Sequence, residues 1–165
     1  MAAGIDPVIE RVRRASDHTI EVAGNPFALR HIVGDGATEV EIGDTWPEVA
    51  AGAVPADVLA LWRAVGSARL FVDVEYGQWG LDLLSPRAAR DRTRSELEWR
   101  DDGVVEGDVV VGAFLGDQDL LIIDRDGAVL IALPLHPRTD WHRPAASLVD
   151  FLEAYLAARG AKFWE

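Results

Sequence analysis

Four histidines and a cluster of aspartates are the side chains of this chain best able to do chemistry. His136, Asp140 and His142 lie close together and could in principle converge on a metal ion. They sit in a proline-flanked loop at no recognised ligand spacing, and loop polarity explains them better. Asp117, Asp119, Asp124 and Asp126 could be read as a cation loop or as paired catalytic carboxylates. The calcium-loop template fails, because the alternating acid spacing and the distal bidentate glutamate are absent. Turn chemistry is the better reading, since aspartate caps exposed backbone donors in tight turns. Other catalytic signatures are missing. There is no G-x-S-x-G elbow, and the single lysine, Lys162, follows no glycine-rich loop. Gly34-Asp35-Gly36 is too short for a dinucleotide fingerprint, because Glu39 stands where the third glycine would be. With no cysteine, disulfides, thiolate zinc sites and cysteine nucleophiles are excluded. No cofactor and no metal are expected.

The elements that would position these groups read clearly from residue 54 onward. Val58, Leu61, Trp62 and Val65 form a helical stripe after Pro55, with Gly66 at the C-terminal cap. Leu70–Val74 and Leu81–Leu84 read as a strand pair around the turn Tyr76-Gly77-Gln78-Trp79-Gly80. Ser85-Pro86 starts a helix running to about Arg100, arginine-rich and poor in apolar positions, hence expected on the surface. Three strands follow. Asp108–Leu115 is the first, and the runs Leu120–Ile123 and Val129–Leu133 are joined through Asp124-Arg125-Asp126-Gly127, where Gly127 supplies a positive φ. Pro134 and Pro137 end the sheet run, and a polar loop passes Trp141 and His142. The closing helix carries Leu148, Phe151, Leu152, Tyr155 and Leu156 on one stripe, between a capping box at Ser147/Asp150 and Gly160. Nearer the start, residues 5–15 read as a short helix and Thr19–Val22 alternates like a strand. Residues 20–36 are mostly loop, and Glu39–Val49 reads as a helix weakened by Gly43 and Pro47.

This order predicts a single α+β domain with a mainly antiparallel twisted sheet and helices packed on one face. At 165 residues and 49% hydrophobic, the chain is large enough for one substantial core. The net charge of −12 is concentrated at the two ends, with 9 acids to 4 bases in residues 1–54 and 12 to 5 in residues 101–165. That balance argues against direct nucleic-acid binding and favours a basic protein partner. The 15 arginines against one lysine read as codon usage rather than chemistry. No apolar run approaches membrane-spanning length and no leader is visible, so no membrane association and a cytoplasmic location are expected.

Four segments resemble the SUKH superfamily, named for a yeast cell-wall-synthesis regulator and its bacterial immunity relatives. They are Val54-Pro55-Ala56-Asp57 with its helix to Trp62 and Gly66, Tyr76–Leu81, Gly112–Gly127, and Ser147–Leu156. The resemblance covers roughly residues 38–158. It divides the chain into an N-terminal helix and irregular extension (1–37) and a SUKH-like domain (38–165), folded as one compact unit. It implies a non-enzymatic binding domain. Many bacterial relatives are immunity proteins that neutralise a polymorphic, often nuclease-type, toxin by direct contact, and others are regulatory or adaptor scaffolds. On that reading, Asp73, Glu75, Tyr76, Trp79, Asp117 and Asp119 are the expected partner contacts, on loops beside the sheet. A metal-dependent hydrolase built on the His136/Asp140/His142 loop is the least favoured alternative.

Overall fold

The computed structural model describes residues 4–165. Seven strands form one antiparallel sheet in simple sequence order, so each strand pairs with its neighbour in the chain. They are β1 (Leu29–Val33), β2 (Ala68–Asp73), β3 (Leu81–Leu83), β4 (Val109–Phe114), β5 (Leu120–Ile123), β6 (Val129–Ala132) and β7 (His142–Ala145). Five α-helices accompany them: α1 (Ile5–Ala15), α2 (Glu39–Thr45), α3 (Ala56–Val65), α4 (Pro86–Trp99) and α5 (Leu148–Ala157). The protein is therefore an α+β single domain.

Side-chain alternation along the strands separates two cores. Leu70, Leu81, Leu83, Val109, Val111, Leu121, Ile123, Val129 and Ile131 point to the face where all five helices deliver buried residues. Each such aliphatic side chain stabilises the fold by roughly 1.5–3 kcal/mol when taken fully from water. Trp62 lies at the centre of this core. Its ring is 5.6 Å from that of Trp46, and the two indole N–H groups donate to Leu84 O and Pro86 O, tying α2 and α3 to the β3–α4 junction. On the opposite face, Val110, Leu120, Ile122, Leu130 and Ala132 are closed over by Val104 and Trp141. The Trp141 ring is in turn flanked by the guanidinium groups of Arg100 and Arg138. Both faces of β5 and β6 are thus covered, which is why these strands are continuous apolar runs.

The short β3 leaves the first half of β4 paired with β5 alone and without a strand on its other edge. Leu84 N–H still reaches Val111 O, after which the chain turns into α4. There the Thr93 hydroxyl oxygen accepts the N–H of Val110 at 2.9 Å, so a helix side chain substitutes for the missing strand.

The structure corrects the sequence reading in three places. The sheet has seven strands, not five: β1 lies in the stretch read as loop, and β7 in the segment read as a polar loop. Thr19–Val22 is not a strand, and only Ile20 makes an isolated bridge to Leu29. Glu39–Val49 is not one helix. Trp46 leaves helical geometry ahead of Pro47, and a 3-10 turn, Pro47–Val49, follows α2. The arginine-rich α4 is largely exposed as expected, burying only Pro86, Ala89 and Thr93.

Candidate functional site

The turn between β2 and β3 is built on a kink. Phe71 adopts φ +49°, a left-handed conformation that costs a bulky residue free energy and must be held by its surroundings. Three features hold it. Its N–H donates to Nδ1 of the buried His31 at 3.0 Å, opposite the register shift in β1. Its ring packs edge-on against His31 and Tyr155. Gly80, at φ +120°, passes so close that a Cβ there would lie 2.6 Å from Val72 Cα.

Beyond the kink, Asp73 is 2% exposed. Its carboxylate accepts the N–H groups of Glu75 and Tyr76, both at 3.1 Å, and of Gln78 at 3.3 Å. Backbone bonds from Asp73 N–H to Trp79 O and from Gly77 N–H to Asp73 O complete the turn. Asp73 is therefore a scaffold, its acceptor capacity spent on the loop. On that scaffold Glu75 is exposed, Val74 is 54% exposed and Tyr76 is 64% exposed, with Phe27 as Tyr76's aromatic neighbour. Trp79 turns the other way and packs half-buried against the main core.

The turn between β4 and β5 lies directly alongside. Leu115 N–H donates to Gly80 O, and Gly116 sits against Gln78 O. Asp119 is buried and Asp117 exposed, and the C-terminal segment lays Lys162 between them. The Lys162 ammonium pairs with Asp117, lies 3.4 Å from Asp119 and 3.7 Å from Glu165, and is only 10% exposed. Burial, with the charge of Glu165 beside it, pushes the Asp119 carboxyl up, and burial pulls the Lys162 ammonium down against the opposing effect of Glu165. Carboxylate oxygens of Asp117, Asp119 and Glu165 come within 4.8 Å of one another. The ammonium occupies that space as their counter-ion, and three carboxylates around one cation leave this end of the molecule acidic.

The structure thus brings all six expected residues to one end of the sheet, where they divide by role. Asp73, Asp119 and Trp79 are engaged internally, whereas Glu75, Tyr76 and Asp117 face outward. Lys162 and Glu165 belong to the same cluster. The only available signal was that Lys162 is the one lysine in an arginine-rich chain. His136 and Asp140 approach to 3.9 Å on the surface, each 57% exposed, and His142 lies on β7. Compared with protein-family models and with curated proteins, the chain matches none.

Proposed function

We propose that this protein is a non-enzymatic protein-binding domain that neutralises a basic, nuclease-type toxin by direct contact, using the β2–β3 turn and the acidic turn beside it. The observation that carries this reading is the Asp73 carboxylate, which fixes three backbone N–H groups and so presents Val74, Glu75 and Tyr76 on a rigid loop. A pre-ordered tyrosine with apolar and acidic neighbours suits partner recognition, because little conformational entropy remains to be lost on binding. The surplus negative charge of the Asp117/Asp119/Glu165 group favours a cationic partner and speeds its approach. The SUKH-like segments Val54–Trp62, Tyr76–Leu81, Gly112–Gly127 and Ser147–Leu156 support the immunity role within that class.

The test is capture from native cytosol with the full chain, run in parallel with Tyr76→Ala and Glu75→Lys and read by mass spectrometry at low and high salt. The expected result is one basic protein held by the wild type, weakened by salt, and lost from both variants. A captured set that is identical for all three proteins would falsify the assignment of this surface.

A further inference from the structure

Two segments that meet over the second core are tied together by arginines. One, residues 97–106, runs from the last turn of α4 toward β4, and the other, residues 133–141, joins β6 to β7. Arg100 donates from Nη1 to Leu133 O at 3.3 Å and from Nη2 to His136 O at 2.6 Å. In the other direction, Arg138 N–H donates to Asp102 O at 2.9 Å, and its guanidinium reaches Gly103 O and both oxygens of the buried Asp108 carboxylate. Trp141, flanked by the two guanidinium groups, donates its indole N–H to His136 O at 3.1 Å. Hydrogen bonds from a charged donor are stronger than neutral ones, so the two segments are braced as one unit.

This braced unit carries apolar side chains that the fold does not bury. Leu135 is 93% exposed and Trp99 82% exposed, the two most exposed large apolar side chains among the described residues. Leu97 and Val105, on the same segment as Trp99, are also exposed. A single exposed apolar side chain is ordinary, whereas several on one ordered unit mark an interaction site.

Charge narrows the occupant. Glu98, Asp101, Asp102, Glu106 and Asp140 are exposed on the two segments. The two arginines among them are engaged inward on carbonyls and on Asp108, with Arg100 also 3.8 Å from Asp102. The remaining basic side chain, His136, is exposed 3.9 Å from Asp140. A second copy of this chain would set the same acids against one another, and an anionic lipid surface would be repelled. We propose that this unit is a docking surface for a cationic protein segment bearing apolar side chains, with Trp99 and Leu135 as anchors and the five acids as its rim. Tryptophan is enriched among the residues that dominate binding energy, and rim charges govern partner choice and rate of approach. The surface uses no residue of the β2–β3 or β4–β5 turn and does not depend on the toxin reading.

The experiment is a ¹H–¹⁵N titration of the full chain with three short peptides, built of Leu-Lys-Lys-Leu, Leu-Glu-Glu-Leu or Ser-Lys-Lys-Ser repeats. The reporters are the Trp99 indole N–H and the Leu135 amide, with the Glu75 and Tyr76 amides marking the turn. The Leu/Lys peptide should shift both reporters, and the other two should bind about tenfold or more weakly. Trp99→Ala should lower affinity for the Leu/Lys peptide about tenfold or more, and Leu135→Ser by a smaller factor, each with an unchanged urea midpoint. No reporter shift up to about 1 mM peptide, or shifts confined to Glu75 and Tyr76, overturns the proposal. So does equal binding of the Leu/Lys and Ser/Lys peptides, which would reduce the contact to charge alone. Reporter shifts that follow protein concentration without peptide would place a second copy on this surface and overturn it as well.

Discussion

Acid should loosen the β2–β3 turn through His31. In the neutral ring Nδ1 accepts the Phe71 N–H, so the ring proton resides on Nε2. Protonating Nδ1 would set two donors against each other at the kink that directs β2 toward Asp73. Burial pushes the His31 pKa down to about 4 from an ordinary 6.5. As pH falls below 6.5 the unfolded chain takes up its proton first, while the folded protein resists until about pH 4. Stability is therefore complete above the unfolded value and is lost progressively across that window. At 1.36 kcal/mol per pH unit the full loss is roughly 3 kcal/mol. His31 lies under a surface hollow lined by Ser16, Asp17, Arg30, Ile32, Val33 and Val74. Water there screens the charge, and ~2 kcal/mol is the figure to expect. The assay is urea unfolding followed by tryptophan fluorescence from neutral pH down to the acid end of the window. The reference is His31→Asn, whose amide oxygen can take the place of Nδ1 as acceptor but does not titrate. The variant should be less stable at neutral pH, having lost ring contacts with Phe71, and the two stability curves should converge in acid. Parallel curves would refute the reasoning, because every other titrating group is common to both proteins.

The other expectations concern the scaffold of the site. Asp73→Ala orphans three turn N–H groups and should cost about 2–3 kcal/mol, with faster hydrogen exchange at the amides of Glu75, Tyr76 and Gln78; unchanged exchange there would contradict the capping role. Lys162→Met leaves Asp117, Asp119 and Glu165 facing one another, a loss of about 1–3 kcal/mol after allowance for solvent. Adding Asp119→Asn to it should recover much of that loss in denaturant unfolding, and simple additivity of the two changes would show that they do not interact. Gly80→Ala drives a Cβ to 2.6 Å from Val72 Cα and should cost more than about 3 kcal/mol or prevent folding. Gly77→Ala, also at positive φ but facing open space, should cost only about 1 kcal/mol, and comparable losses at the two positions would argue against close packing at Gly80.

Helices with a buried stripe and a capping side chain were readable in advance because both signals are local. The Val58/Leu61/Trp62/Val65 stripe ends at Gly66 with φ +63°, and the Ser85 and Ser147 side chains accept from Ala88 and Asp150 N–H as N-caps do. The two missed strands take their character from partners far along the chain. Leu29–Val33 is short and flanked by Pro26 and Gly34, and it becomes a strand by pairing with β2. Gly34 and Gly36 read as loop punctuation, yet added Cβ atoms would strike the carbonyls of Ser67 and Arg63, so these glycines serve close packing at the end of α3. In β7, Pro144 masks the strand locally but suits an edge position, where a missing N–H costs no ladder bond. The residue types of the site were likewise visible, whereas their division of labour was not. Nothing within a few residues of Asp117 and Asp119 indicates that Lys162 will fold back between them.

That division changes what a charge-reversal experiment would measure. Replacing Asp73 or Asp119 by lysine would place a cation where a buried carboxylate serves three backbone donors or faces an ammonium, and any lost binding would report damaged structure. Asp117 is exposed but paired with Lys162, so its reversal mixes recognition with release of the C-terminal segment. Glu75 is exposed, holds no partner among the described residues, and sits beside Tyr76 on a turn fixed by another residue's carboxylate. Glu75→Lys is therefore the substitution that separates charge complementarity from folding. It should leave the urea midpoint in place while weakening a basic partner most at low salt, where exposed charges are least screened. An affinity loss of equal size at low and high salt would instead assign recognition to the apolar contacts of Val74 and Tyr76.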